Sequence, residues 1–232
     1  MTPNLLVSDL GRRRYGDVLA LQRVLAAQRL DGTLADDLLL LVEHEPVVTL
    51  GRSTEASSLP LAPDDIARRG TEVFEVERGG DVTWHGPGQL VGYPILDLHG
   101  HREDLHWYLR TLEDVLIDTL ESLGIPADRH PGRTGVWTAG RKIASIGVHA
   151  KRWVTFHGFA LNVTNALEGF ELIVPCGLHG VVMTSVQLER GGNESPTTLD
   201  ALVRERVVAT FATAFARRPE IVAVTTLEAR IP

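Results

Sequence analysis

The hydrophobic positions of the chain follow two patterns, a helical spacing and short, nearly unbroken apolar runs. The helical spacing predicts amphipathic helices over residues 15–28, about 103–123 and about 197–216, and a shorter helix over 63–70. The second helix has the most regular apolar face, and Gly124 and Pro126 end it. We expect Thr197 or Thr198 to cap the last one.

The apolar runs predict strands, which we place at residues 38–42, 47–50, 71–76, 90–98, 135–139, 142–148, 153–163 and 221–224. Pro94 cannot donate to a strand ladder, so we expect its strand at an edge or in an irregular position. Gly140 and Arg141 join two of the runs as a hairpin. Together these elements indicate one mixed α/β or α+β domain over residues 1–232, in which helices pack on a mixed sheet.

Composition narrows the class of protein. With 44% hydrophobic residues the chain can form a substantial core, and its net charge of −7 argues against a nucleic-acid partner. No apolar run reaches membrane-spanning length, so we expect no membrane association. A single cysteine, Cys176, cannot form an internal disulfide, which favours a reducing cytoplasm.

The stretch of residues 77–89 combines glycines with hydrogen-bonding side chains more densely than any other segment. Glycine lets a ligand approach the main chain, and Pro87 restricts the backbone, so a rigid binding loop is the favoured interpretation. An ordinary glycine-rich connection between strands is the alternative.

Cys176 lies between Pro175 and Gly177, a context that suits an accessible loop better than a packed core. As a nucleophile it would need a nearby cation or base to supply thiolate. The sequence offers Lys142, His85, His157 and His179 for this purpose. Each also has a plainer explanation: Lys142 as a charge that protects a sheet edge, His157 as a hydrogen-bonded core residue, and the other two as loop or surface residues.

Two further observations concern lysine and histidine. Of the 23 basic residues only Lys142 and Lys151 are lysine, so Lys142 stands out against an arginine background. His99, His101 and His106 lie close together, but no carboxylate or cysteine completes a metal-ligand spacing, and we expect all three at the surface.

Four motifs occur in the order typical of one enzyme family, at residues 78–89, 140–147, 157–163 and 175–177. With them the chain resembles the lipoate-biosynthesis octanoyltransferases over roughly residues 35–190. The resemblance implies the fold of lipoate- and biotin-protein ligases. It also implies transfer of an octanoyl group from octanoyl-acyl carrier protein to a lysine of lipoyl domains, without a cofactor or metal. The acceptors would be the 2-oxoacid dehydrogenase complexes and the glycine cleavage H protein.

The resemblance assigns roles to residues as well. Cys176 would hold the octanoyl group as a thioester, and Lys142 would lower the pKa of the cysteine and shuttle protons. His179 receives no role. The remaining motif residues would bind the substrate, and these are Arg78, Gly79, Gly80, Asp81, Val82, Thr83, Trp84, His85, Ser145, Ile146, Gly147, Gly158, Phe159 and Ala160.

Three other functions stay open at this point. An ATP-dependent lipoate- or biotin-protein ligase would need nucleotide-binding residues but no cysteine. A binding module would use the same pocket for acyl chains without forming a thioester. A cysteine hydrolase is the third, although no partner set stands at a familiar spacing.

Overall fold

The computed structural model describes residues 2–174 and 180–229. Its strands are β1 (Asn4–Arg13), β2 (Asp37–His44), β3 (Val47–Leu50), β4 (Glu72–Glu75), β5 (Val82–His85), β6 (Gln89–Ile95), β7 (Asp128–His130), β8 (Arg133–Thr138), β9 (Arg141–Lys151), β10 (Val154–Asn162) and β11 (Arg218–Ile221). Its helices are α1 (Tyr15–Asp31), α2 (Pro63–Arg68), α3 (Leu105–Ser122), α4 (Val186–Glu189), α5 (Pro196–Ala214) and α6 (Val224–Glu228). None of these helices is both long enough and apolar enough to cross a membrane.

The strands form a large and a small sheet. Eight strands follow the order β11-β1-β2-β6-β10-β9-β8-β7, and β4-β3-β5 form a separate three-stranded sheet. The large sheet is mixed, because β1 pairs in parallel with β2 and β11 while β6, β8, β9 and β10 pair antiparallel with their neighbours. The expected fold, a mixed sheet with packed helices, is therefore confirmed.

Strand β2 explains why the strongest apolar run of the sequence does not alternate with polar residues. Leu39 and Leu41 face a core that α3 and α5 cover, whereas Leu38, Leu40 and Val42 face a second core beneath α1. A strand that is buried on both faces needs apolar residues at every position. The helices predicted from the periodicity are therefore the two layers that enclose this sheet.

Of the two positions expected for the strand of Pro94, an edge or an irregular place in the sheet, the edge is wrong. Strand β6 lies inside the sheet between β2 and β10, and Pro94 pairs with Leu39. The register with β10 runs only from Phe159 opposite Gly92 to Asn162 opposite Gln89, so Pro94 lies beyond it. Beyond that register the Thr155 hydroxyl replaces the main-chain hydrogen bonds between the strands. It donates to the Pro94 carbonyl at 3.0 Å and accepts from the Leu96 N–H at 3.0 Å. The missing proline donor is thus tolerated inside the sheet.

Several other boundaries differ from the prediction. The sequence reading missed β1, because Asp9 and the arginines that follow it hide its apolar half. The last strand ends at Ile221, and α6 begins at Val224 where a strand was expected. The N-cap of α5 is Ser195, so the predicted threonine cap is wrong. The stretch 77–89 is not wholly a loop, since it contains β5.

Candidate functional site

One cavity lies where the glycine-rich stretch 77–89 meets strands β9 and β10. It is lined by Tyr15, Arg78, Gly80, Asp81, Val82, Thr83, His85, Val91, Tyr93, Lys142, Ser145, Ile146, Gly147, His157, Gly158, Phe159 and Ala160. Three segments far apart in sequence therefore meet around a single space. Most residues predicted to bind substrate lie in this lining, together with Lys142.

Two predicted residues do not line the cavity, and one lies outside the described residues. Gly79 acts through its main chain, donating its N–H to the Val148 carbonyl at 2.8 Å. Trp84 packs against Phe170 in a separate small core, with ring centroids 5.4 Å apart. Cys176 belongs to the segment 175–179, which the structure does not describe.

Two close backbone approaches require glycine, one between the glycine-rich stretch and β9 and one between β6 and β10. A Cβ at Gly147 would meet the Gly79 carbonyl oxygen at 2.9 Å, and a Cβ at Gly158 would meet the Gly92 oxygen at 2.1 Å. Neither oxygen belongs to a flexible side chain, so an alanine at either position would force backbones apart. These two glycines allow the wall of the cavity to form.

Arg78 fixes the same stretch to the small sheet. Its side chain is buried, and its guanidinium donates to the Thr49 carbonyl at 2.6 Å and to the Thr49 hydroxyl at 2.9 and 3.2 Å. It also donates to the Gly79 carbonyl at 3.1 Å. A buried cation needs such hydrogen bonds, so Arg78 both shapes the loop and places positive charge beside the cavity.

Lys142 is not the edge charge that its position in the sequence allowed. It is 2% exposed, and its Nζ lies 5.2 Å from the centroid of the Trp137 ring. The register of β8 and β9 shifts between Trp137 opposite Lys142 and Val136 opposite Ala144, which leaves Ile143 unpaired. Such a bulge breaks the alternation of side chains. Ile143 enters the apolar core while Lys142 lines the cavity.

A chain of buried hydrogen bonds runs from the His85 side chain to the main chain of Lys142. His85 Nδ1 lies 2.7 Å from Gln89 Oε1, and Gln89 Nε2 donates to Asn162 Oδ1 at 2.9 Å. Asn162 Nδ2 in turn donates to the Thr184 carbonyl at 2.9 Å. Thr184 donates its N–H to the Lys142 carbonyl at 2.9 Å. Gln89 and Asn162 belong to two of the motifs, but their pairing was not predicted, because polar residues in apolar strands carry no signal of their partners.

The histidines of the cavity are neutral at neutral pH. Burial lowers the pKa of His85 to about 3 and that of His157 to about 4. The charged side chains that line the cavity are therefore Arg78, Asp81 and Lys142. With Val91, Ile146, Phe159 and Ala160 alongside, the cavity offers apolar surface and a buried ammonium group, a combination that suits an acyl chain and an anionic nucleophile.

The described residues on either side of segment 175–179 are held beside the cavity. Val174 donates its N–H to the Ser58 carbonyl at 2.9 Å, and the Ser58 hydroxyl donates to Asp81 at 2.6 Å. On the other side, the Val182 carbonyl accepts from the Lys142 N–H at 2.8 Å. Both flanks are thus attached to residues that line the cavity.

His101 corrects the expectation that the three clustered histidines are all exposed. His99 and His106 are exposed, but the His101 side chain is 5% exposed, with Nε2 2.7 Å from Asp37 Oδ2. Arg29 and Arg217 also pair with Asp37, at 3.2 and 2.8 Å. This cluster joins the start of β2 to the end of α5 and lies apart from the cavity lining.

Comparison with known proteins gives a consistent family. Residues 14–212 match the lipoyl protein ligase A/B catalytic domain. The chain is 46% identical over 232 residues to an octanoyltransferase from Acidobacterium capsulatum, covering 94% of this chain and 90% of that protein. It is 54% identical over 167 residues to one from Gloeobacter violaceus, covering 72% and 73% of the two chains.

Solved structures share the fold at much lower identity. A putative lipoate protein ligase from T. acidophilum with bound lipoic acid superposes with a TM-score of 0.77 at 15% identity, covering 100% of this chain and 92% of that one. A lipoate-protein ligase A bound with ATP gives a TM-score of 0.74 at 16% identity, with coverage of 100% and 93%. The lipoate-protein ligase fold expected from the motifs is therefore confirmed.

Proposed function

The chain belongs to the octanoyltransferases of the lipoyl protein ligase A/B catalytic-domain family, and from this we propose that it transfers an octanoyl group from acyl carrier protein to a lipoyl-domain lysine through a thioester on Cys176. The acceptors are the lipoyl domains of 2-oxoacid dehydrogenase complexes and the glycine cleavage H protein. The observation that carries the proposal is the buried Lys142 ammonium in a cavity lined by the glycine-rich stretch and apolar strand residues.

The placement of Lys142 supports a pairing with Cys176. The main chain of Lys142 is hydrogen-bonded to Val182 and Thr184, within eight residues of the cysteine in sequence. Val174 on the other side is held through Ser58 to Asp81. Both flanks of segment 175–179 are therefore attached beside the cavity, which supports the proposed pairing of Cys176 with Lys142. An adjacent cation stabilises thiolate, which is scarce for a cysteine of ordinary pKa, roughly 8.5.

The proposed reaction has two acyl transfers. The Cys176 thiolate attacks the thioester carbonyl of the donor, the bond to the carrier thiol breaks, and Lys142 gives that thiol a proton. The amine of the acceptor lysine then attacks the enzyme thioester, an amide forms, and the Cys176 thiolate leaves. Lys142 takes the proton that the amine releases, so the starting thiolate and ammonium are restored.

The free energies of the two transfers allow the reaction to proceed without a nucleotide. Exchange of one thioester for another is nearly balanced, so the acyl group stays activated on the enzyme until the amide forms. The residues at 78–85, 145–147 and 158–160 bind the chain in this account. An ATP-dependent ligase remains the rival, and the much higher identity to octanoyltransferases than to the ligase structures favours transfer.

The test combines purified protein, octanoyl-acyl carrier protein and an apo lipoyl domain without nucleotide. We expect the lipoyl domain to gain one octanoyl group, seen by intact mass. A strict requirement for ATP and free octanoate would show instead that the protein is a ligase. Acyl binding with no transfer under either condition would identify a binding module.

A further inference from the structure

The cavity is lined by Lys142 of β9 and, further along the sheet, by His157 of β10. His157 pairs with Val148, which is six residues beyond Lys142 on β9 (148 − 142 = 6). At about 3.3 Å per strand residue the two backbone positions are roughly 20 Å apart along the sheet. Both residues line the same cavity, so an acyl chain that starts beside Lys142 can run along the sheet towards His157.

His157 holds an unusual backbone conformation at this end. Its φ is 57°, in the left-handed region that non-glycine residues rarely adopt. The Gln22 side chain of α1 accepts the His157 N–H at 2.9 Å and so stabilises the conformation. Non-glycine residues that persist in this region are concentrated at functional sites, because the surrounding structure must offset the strain.

The His157 ring is buried without a hydrogen bond. The side chain is 1% exposed, and neither Nδ1 nor Nε2 has a hydrogen-bond partner among the described residues. The Glu77 carboxylate faces the ring, with Oε2 3.6 Å from Nε2, and is itself held by Arg23 at 3.0 Å. An unsatisfied buried polar group costs about 1–3 kcal/mol, so packing alone does not explain a histidine here.

A groove lies directly behind this ring. It is lined by Arg23, Ala26, Ala27, Leu30, Glu77, His149, Lys151, Val154 and Phe156. The Phe156 ring stacks on His157 with centroids 4.8 Å apart, and Glu77 lines the groove while contacting His157. His157 and its two contacts therefore separate the cavity from a second space that has an apolar floor.

We propose that His157 is a specificity-determining residue that ends the acyl cavity and limits the transferred chain to medium length. This rests on the proposed function, because the chain is taken to start at a thioester near Lys142. A chain longer than the cavity meets the His157 ring. Without the ring, its end passes into the groove over Ala26, Ala27 and Leu30.

The left-handed backbone of His157 allows a variant that removes the side chain without straining the main chain. Glycine adopts φ near 57° without strain, so His157→Gly removes the ring and keeps the main chain in place. Ala216 is exposed and has φ 50°, so Ala216→Gly is the matched control for a glycine placed at such a position away from the cavity. His157→Phe keeps a ring of similar size and removes its nitrogens.

The assay measures transfer from carrier proteins loaded with hexanoyl to tetradecanoyl groups. Each methylene that enters newly opened apolar space is worth up to about fourfold in kcat/KM. We expect His157→Gly to raise the dodecanoyl-to-octanoyl ratio by on the order of 10- to 100-fold. Wild type, Ala216→Gly and His157→Phe should keep the same upper limit of acyl chain length.

An unchanged chain-length profile in His157→Gly would overturn the proposal, as would dodecanoyl transfer by His157→Phe, which still blocks the end. If His157→Gly transfers nothing, calorimetric binding of octanoate and dodecanoate decides, and equal preference to wild type rejects the proposal. Failure of the wild type to transfer octanoyl would reject the proposed function instead, while the binding comparison still tests His157.

Discussion

Lys142→Met separates the chemical role of Lys142 from its contribution to the fold. Methionine keeps an unbranched stem, and the hydrogen bonds to Val182 and Thr184 come from the main chain, so the substitution leaves the pairing of β9 intact. The substitution removes the ammonium group, whose Nζ lies 5.2 Å from the centroid of the Trp137 ring. Lys142 as a whole is only 2% exposed.

The two effects differ in size. Loss of the cation–π contact with Trp137 costs about 0.5–2 kcal/mol of stability. Loss of a group that transfers protons lowers turnover by about 10²- to 10⁴-fold. That range corresponds to about 2.7–5.5 kcal/mol of activation free energy, since each factor of ten is ~1.4 kcal/mol. Activity should therefore fall by far more than the loss of folded protein explains.

The assay compares octanoyl transfer, urea unfolding and the pH dependence of Cys176 alkylation. In Lys142→Met the alkylation midpoint should move to higher pH, because the thiolate loses its neighbouring cation and the pKa of the thiol rises. Lys142→Arg keeps the cation, so its alkylation midpoint should stay near that of wild type. Arginine does not release a proton, so transfer should still fall by about 10²-fold or more.

Lys151 provides the control, since it is the other lysine of the chain and lies exposed at the end of the same strand. Lys151→Met should keep wild-type turnover. Turnover of Lys142→Met within tenfold of wild type, with an unchanged alkylation profile, would refute the assigned role.

Two further predictions concern the buried polar groups. Asn162→Ala removes three hydrogen bonds, to Gln89, Asn165 and Thr184, so urea unfolding should show a loss of about 3 kcal/mol, and transfer should fall because Thr184 holds the Lys142 strand. A variant of wild-type stability would show that this network contributes little. Asp37→Asn leaves a buried cationic cluster unpaired and should cost about 3–5 kcal/mol at pH 7. The pKa of Asp37 is lowered in the folded protein, so its contribution is complete above the unfolded value of about 3.9 and is lost as pH falls through the folded pKa. The stability gap between wild type and Asp37→Asn should therefore narrow in acid, and a gap independent of pH would contradict this.

Much of the fold is predictable from local patterns, since long periodic segments and unbroken apolar runs depend on burial alone. Strand β2 and helix α3 appear where the sequence places them, with β2 buried on both faces and α3 capped by Asp104. The features that were missed depend on partners distant in sequence. Pro94 is tolerated inside the sheet because Thr155 supplies the hydrogen bonds, and no local pattern shows that hydroxyl.

The site divides in the same way. The glycine-rich stretch could be recognised from its density of glycine and polar side chains, and the family motifs supply the other predicted residues.

 Of the 16 residues predicted for the site, 13 line the cavity, Gly79 and Trp84 do not, and Cys176 lies outside the described residues. Tyr15, Val91, Tyr93 and His157 complete the lining, and only the tertiary structure brings them there. Lys142 is buried beside a bulge in β9, and the sequence reveals neither feature.

The central claim is a covalent octanoyl group on Cys176, and intact-mass measurement after mixing with octanoyl-acyl carrier protein tests it most directly. The account predicts one added octanoyl group per chain, released by hydroxylamine, transferred to an apo lipoyl domain without nucleotide, and absent from Cys176→Ala. Full transfer activity in Cys176→Ala, or turnover of wild type with no acyl group on Cys176 at any time, would contradict it.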